Sequence, residues 1–160
     1  MPKLTIFDLD NTLLAGDSDR TWGQYLVEQG VVSNSYLAES EKFYNSYYEG
    51  DLDIDGFLSF CLKPLTENTM EDLIRLRSGF IKEKIKPMML DKAIQTVNSK
   101  MDDGPVIIAT ATNSFVTKPI SDLFKIENLI ATEFVIKDNS FTGEVDGTPC
   151  FRDGKLLKVE

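Results

Sequence analysis

A chain of 160 residues that is 42% hydrophobic and 27% charged has the composition of one globular domain, or of a core with a small insert, and can bury a sizeable interior. Its 17 basic and 26 acidic residues leave a net charge of −9, which disfavours nonspecific binding to nucleic acid or anionic membrane. The chain has no His, which excludes Ser-His-Asp, Cys-His and phosphohistidine mechanisms, and its two cysteines form no C-x-x-C pattern that would indicate a disulfide framework or a zinc site.

The N-terminus carries neither a basic stretch nor a long apolar run, and no segment approaches the roughly 20 apolar residues of a membrane helix, so a cytoplasmic protein is expected. Leu4-Thr5-Ile6-Phe7 is a short apolar and β-branched run without alternation, which predicts a strand buried on both faces of a parallel sheet. Asp8 and Asp10 follow at its carboxyl end, where an open α/β sheet places its ligand crevice. Separated only by Leu9, they point to one side of an extended chain. Two like charges held so close need a cation, a shared proton or several donors, which suggests a bound metal. Taken alone, Asp10-Asn11-Thr12 also reads as an ordinary Asx turn.

A flexible exit, Ala15 to Asp19, leads into a helical region. Helices are expected over 21–29, with Trp22, Tyr25 and Leu26 on one face, and from a cap at Ser33 or Asn34 to Tyr48. A third, capped by Asp53, carries Ile54, Phe57, Leu58 and Cys61 and stops near Pro64. Thr69 with Asp72 caps a fourth that runs to Lys84 before Pro87 breaks the pattern. The aromatic stripe of the second helix, at helical spacing, reads as packing rather than as a ligand wall. Residues 17–86 are thus expected to form an all-helical insertion, with 1–16 and 87–160 making the α/β core. The core continues with a helix over 90–100, a strand over 105–110, a helix with Pro119 in its first turn, a strand over 129–136 and a hairpin return over 141–145. Strands alternating with helices imply parallel crossovers.

Phe7-Asp8-Leu9-Asp10-Asn11-Thr12-Leu13-Leu14 resembles motif I, D-x-D-x-T, of the haloacid dehalogenase superfamily of phosphohydrolases. More narrowly, the chain is similar to subfamily IB, the branch related to phosphoserine phosphatase, through essentially its whole length. The resemblance implies a Rossmannoid parallel-sheet core under a helical C1 cap, and Mg²⁺-dependent hydrolysis of a small phosphorylated metabolite through an aspartyl-phosphate. Asp8 would be the nucleophile and Asp10 the general acid and then base, with the Asp8 carboxylate and the Asp10 backbone carbonyl as metal ligands. Ile108-Ala109-Thr110-Ala111-Thr112-Asn113 resembles motif II, which puts Thr110 and Ala111 at the phosphoryl oxygens, although a strand ending in Thr is common. Asp153-Gly154-Lys155 resembles motif III, making Lys155 the cation that offsets the phosphate charge, whereas a lone Lys is ordinarily a solvated surface charge. Asp17 falls where phosphoserine phosphatases carry an acidic contact to the substrate amine, and reads equally as the cap of the first helix.

Two departures from the family stand out. Residues 56–62, where phosphoserine phosphatases carry an Arg for the substrate carboxylate, contain no basic residue, which argues for a phosphomonoester other than phosphoserine. The acidic motif IV segment should follow Lys155 after a further helix and strand, and the sequence reaches Glu160 first. Truncation is the expectation, with unrecorded final residues or a partner completing the sheet as alternatives. An open edge at the first strand would then favour self-association. The alternatives to a hydrolase are a noncatalytic phosphate- or partner-binding module and a phosphotransferase using the same residues.

Overall fold

The computed structural model describes residues 3–159. A short strand, β1 (Thr5–Phe7), is followed by four helices, α1 (Ser18–Glu28), α2 (Ser35–Tyr48), α3 (Ile54–Thr66) and α4 (Met70–Phe80). A widened π turn over Ile81–Ile85 and the short α5 (Lys86–Met88) lead to α6 (Asp91–Asp103). The chain then runs through β2 (Val106–Asn113), α7 (Ser114–Leu123), β3 (Asn128–Lys137), β4 (Ser140–Asp146) and α8 (Asp153–Val159). The four strands lie in the order β1-β2-β3-β4, parallel except for the final antiparallel pair. Pairing of Phe7 with Ile108 and of Ile108 with Leu129 brings the carboxyl ends of β1 and β2 to one rim of the sheet.

β1 is an edge strand among the described residues rather than one buried on both faces, with Leu4 54% and Ile6 43% exposed. A short apolar run looks the same in either setting, because what lies beside it is decided elsewhere in the chain. β2 extends past Thr110 to Asn113, where the Asn113 side chain turns back to accept from Val116 N–H at 3.1 Å and caps α7. Consequently α7 begins five residues before Pro119, and the proline lies inside the helix rather than in its first turn.

Pro119 has no N–H for the carbonyl four residues back, that of Phe115. Arg77 of α4 donates to that oxygen from Nη1 at 2.9 Å, and its guanidinium lies 4.4 Å from the centre of the Phe115 ring. Pro64 likewise continues α3 instead of stopping it. Before Pro87 the fourth helix widens, so that Lys86 N–H reaches Ile81 O, five residues back, and the helix ends at Met88.

The chain crosses between the sheet and the helices of 17–86 twice, and the two crossings are side by side. Ala15 N–H donates to Met88 O at 2.8 Å, and Leu14 and Met89 form an antiparallel bridge. One continuous apolar core joins both parts. Trp22 packs edge-on to Phe80 and Phe115 with ring centres 5.1 and 6.1 Å away, and Leu62, Leu73, Ile108, Val116 and Phe134 belong to the same buried cluster. Among the described residues no helix is long and apolar enough to cross a membrane.

Candidate active site

The rim where β1 and β2 end opens into a cleft of about 710 Å³. Its walls include Asp8, Asp10, Asp17, Asp19, Thr110, Ala111, Thr112 and Lys155, together with aromatic residues of α2 and α3. All six residues singled out from the sequence therefore line one cavity.

After Asp10 the backbone must reverse at once. Asn11 takes a left-handed conformation, with φ of 59°, which Asn tolerates better than most side chains. Leu9 O then accepts from the N–H groups of Thr12, Leu13 and Leu14 in a tight turn. This reversal holds the two carboxylates in different surroundings. Asp8 is half exposed, and Lys155 Nζ lies 3.1 Å from its Oδ1. Asp10 is enclosed, accepting from Ser18 N–H at 2.7 Å on Oδ1 and from the Thr112 hydroxyl at 2.8 Å on Oδ2. Ser18 begins α1, so the Asp10 carboxylate also sits at the positive end of that helix. Burial, followed by the charge of Asp17, nevertheless raises the Asp10 pKa to about 6, while the bonds from Ser18 and Thr112 pull it back.

Thr110 is buried, and its hydroxyl oxygen accepts from Thr112 N–H at 3.2 Å; Ala111 between them is exposed to the cleft. Asp17 caps α1, accepting from Arg20 N–H at 2.9 Å, and also faces the cleft, so both sequence readings of it remain compatible with its position.

A family model described as haloacid dehalogenase-like hydrolase matches residues 5–160. The chain belongs to that family. It is 39% identical to a Neisseria meningitidis serogroup C (strain 8013) protein named histidinol-phosphatase, over 99% of this chain and 73% of the relative. Among solved structures, a Bordetella pertussis Tohama I protein of unknown function superimposes with a TM-score of 0.89 at 32% identity, covering 99% of this chain and 73% of that one. A phosphoserine phosphohydrolase-like protein from Francisella tularensis subsp. tularensis SCHU S4 shares the fold, with a TM-score of 0.72 at 23% identity and coverage of 99% and 72%. The protein is a phosphatase-type hydrolase of the haloacid dehalogenase family, with its mixed α/β Rossmannoid fold.

The donor set of this haloacid dehalogenase-type site suits a hard cation. Both Asp10 carboxylate oxygens already accept hydrogen bonds, whereas Asp8 Oδ2 has only the Thr12 hydroxyl at 3.5 Å. Asp8 Oδ2 thus keeps room for a cation, and with the Asp10 backbone carbonyl, the second ligand that the family resemblance implies, it would make a small oxygen set of the kind Mg²⁺ accepts when phosphate and water complete its octahedron. Among the described residues no three acidic, His or Cys side chains converge to hold an ion by themselves.

Thr112 was not singled out from the sequence. Its signal is the alternation Thr110-Ala111-Thr112, which puts both hydroxyls on one side if the strand is continued. Asp19 offered no such signal. Its surroundings come from two other helices: its Oδ2 accepts from the Tyr44 hydroxyl of α2 at 2.7 Å and its Oδ1 from the Cys61 thiol of α3 at 3.8 Å. Burial, then the neighbouring Asp19 charge, pushes both the Tyr44 and the Cys61 pKa well up, so both keep the protons they donate.

Proposed function

We propose that this protein is a Mg²⁺-dependent phosphomonoester hydrolase that works through an aspartyl-phosphate on Asp8. The candidate substrate is histidinol phosphate, by kinship with the Neisseria meningitidis relative. The observation that carries the reading is the difference between two adjacent carboxylates, one ion-paired to Lys155 and open to the cleft, the other partly buried and held by Ser18 N–H and the Thr112 hydroxyl.

Asp8 is placed to attack phosphorus. Lys155 offsets its charge and that of the incoming phosphate, and Thr110 with the Ala111 backbone, which line the same cleft, would receive a phosphoryl oxygen. Bound Mg²⁺ would supply further neutralisation, so that an anionic nucleophile can approach an anionic ester. As the bond from phosphorus to the ester oxygen breaks, the proton of Asp10 passes to the leaving alkoxide. Asp10, now a carboxylate, takes a proton from water as its oxygen attacks the phosphoryl group on Asp8, and inorganic phosphate and free Asp8 result. Thr112 and Ser18 hold Asp10 in one orientation for both transfers.

The test is hydrolysis of an aryl phosphate and of histidinol phosphate with Mg²⁺ and with a chelator, alongside Asp8→Asn. Metal-dependent turnover that vanishes in the variant supports the reading; turnover that survives in a folded Asp8→Asn protein would sink it. Histidinol phosphate should be a better substrate than phosphoserine, since residues 56–62 offer no cation to a substrate carboxylate.

A further inference from the structure

The mechanism leaves two partly buried carboxylates of the cleft unused: Asp17 caps α1, and Asp19 is held by side chains of two other helices. Asp19 sits in the cleft wall where α1, α2 and α3 converge. The Tyr44 hydroxyl and the Cys61 thiol supply one donor each, and a carboxylate has room for about four. Among the described residues no Lys or Arg pairs with it. Arg20, the next residue, is turned away to Glu41 at 3.3 Å and covers the Tyr44 ring from 4.5 Å. A partly buried carboxylate with hydrogen bonds but no cation beside it is electrostatically incomplete.

Aromatic and aliphatic side chains share this end of the cleft. Phe43, Tyr44 and Phe57 line it, with the Phe57 ring centre 5.5 Å from that of Phe43 and 6.0 Å from that of Tyr44. Ring faces beside a carboxylate attract an organic cation, through the ring quadrupole as well as the charge. A metal ion would gain little from such walls, and a second anion would be repelled.

We propose that Asp19 is a specificity-determining residue that receives the cationic group, an ammonium or imidazolium, on the alcohol part of the phosphomonoester, with the Tyr44 hydroxyl fixing its carboxylate. This deepens the phosphatase reading and rests on it for the position of the phosphate. The bland alternative is that Asp19 merely ties α1 to α2 and α3.

Two measurements on the Mg²⁺-loaded protein decide the matter. The first is calorimetric binding of histidinol, the phosphate-free alcohol, to wild type, Asp19→Asn and Tyr44→Phe, with 3-phenylpropan-1-ol as a neutral probe. Wild type should prefer histidinol, and Asp19→Asn should weaken histidinol binding about tenfold or more, the scale of one charge-assisted hydrogen bond. The second is the ratio of kcat/KM for histidinol phosphate to that for an aryl phosphate, which should fall in Asp19→Asn by a similar factor, through KM. An unchanged ratio, with both substrates affected alike or neither, overturns the proposal and leaves the phosphatase standing. Equal wild-type affinity for histidinol and the neutral alcohol also overturns it, and needs no variant to fold. If wild type hydrolyses neither ester, the phosphatase reading fails separately, while the binding measurement still judges Asp19.

Discussion

Lys155 Nζ lies 3.1 Å from Asp8 Oδ1, joining two residues 147 positions apart in the chain. The pair closes the phosphate end of the cleft, and its cation is the one that touches the proposed nucleophile. Lys155→Met leaves Asp8 to meet an anionic ester without that charge. A fall in kcat on the order of 10²-fold or more is expected, as for loss of a preorganised electrostatic group, measured with an aryl phosphate at saturating Mg²⁺.

Gly154 sets where that lysine stands. A Cβ built on it would lie 2.1 Å from Pro149 O, a backbone atom that cannot swing aside, and 3.1 Å from Thr148 Cγ2. Gly154→Ala should therefore displace the first turn of α8 and carry Lys155 away from Asp8, although no polar group is removed. Turnover is expected to drop toward the level of Lys155→Met while the thermal transition of the whole protein changes less. Full activity in Gly154→Ala would show that this packing does not position the lysine.

The Asp19 carboxyl gives the fold a pH dependence of definite sign. Burial first, then the charge of Asp17 and, less strongly, that of Asp10, push its pKa up to about 7, against the hydrogen bonds from Tyr44 and Cys61. With an ordinary value of 3.8 in the unfolded chain, the folded protein binds more protons between those two pH values. Its contribution to stability is fully present below pH 3.8 and is lost as pH rises through about 7. In cation-free buffer the Tm of wild type should decline across this window relative to Asp19→Asn, which cannot ionise. Parallel curves for the two proteins would contradict the assignment.

Arg77 supplies a carbonyl that Pro119 deprives of its normal partner. Arg77→Met should cost about 1–3 kcal/mol in denaturant unfolding, through an unsatisfied acceptor and a lost contact with the Phe115 ring. Pro119→Ala restores the helical N–H, so it should recover part of that loss when combined with Arg77→Met. Simple additivity of the two changes would mean that the residues do not act on one oxygen.

What local sequence conveys depends on how local the cause is. The caps at Asp53 and Thr69 fall where expected because a cap is decided within four residues. The grouping of Asp8, Asp10 and Thr110 at one rim follows from strand ends visible in the chain, whereas Lys155 was reached only through the resemblance to the family's motif III. Pro119 was misread for the opposite reason. A proline inside a helix is tolerated when something distant serves the freed carbonyl, and no window around Pro119 contains Arg77. The surroundings of Asp19 were hidden in the same way, since they depend on which segments meet it in space.

The Arg77 bond also means that α7, although it connects β2 to β3 in the chain, does not carry all of its own hydrogen-bond partners. One donor is on loan from α4, in the helical segment that comes between β1 and β2 in the chain. Transplanting a helical segment from another protein onto this sheet, to change substrate choice, would leave that debt unsettled. A working chimera would have to bring an arginine to the same place, or replace Pro119 with a residue that has an N–H.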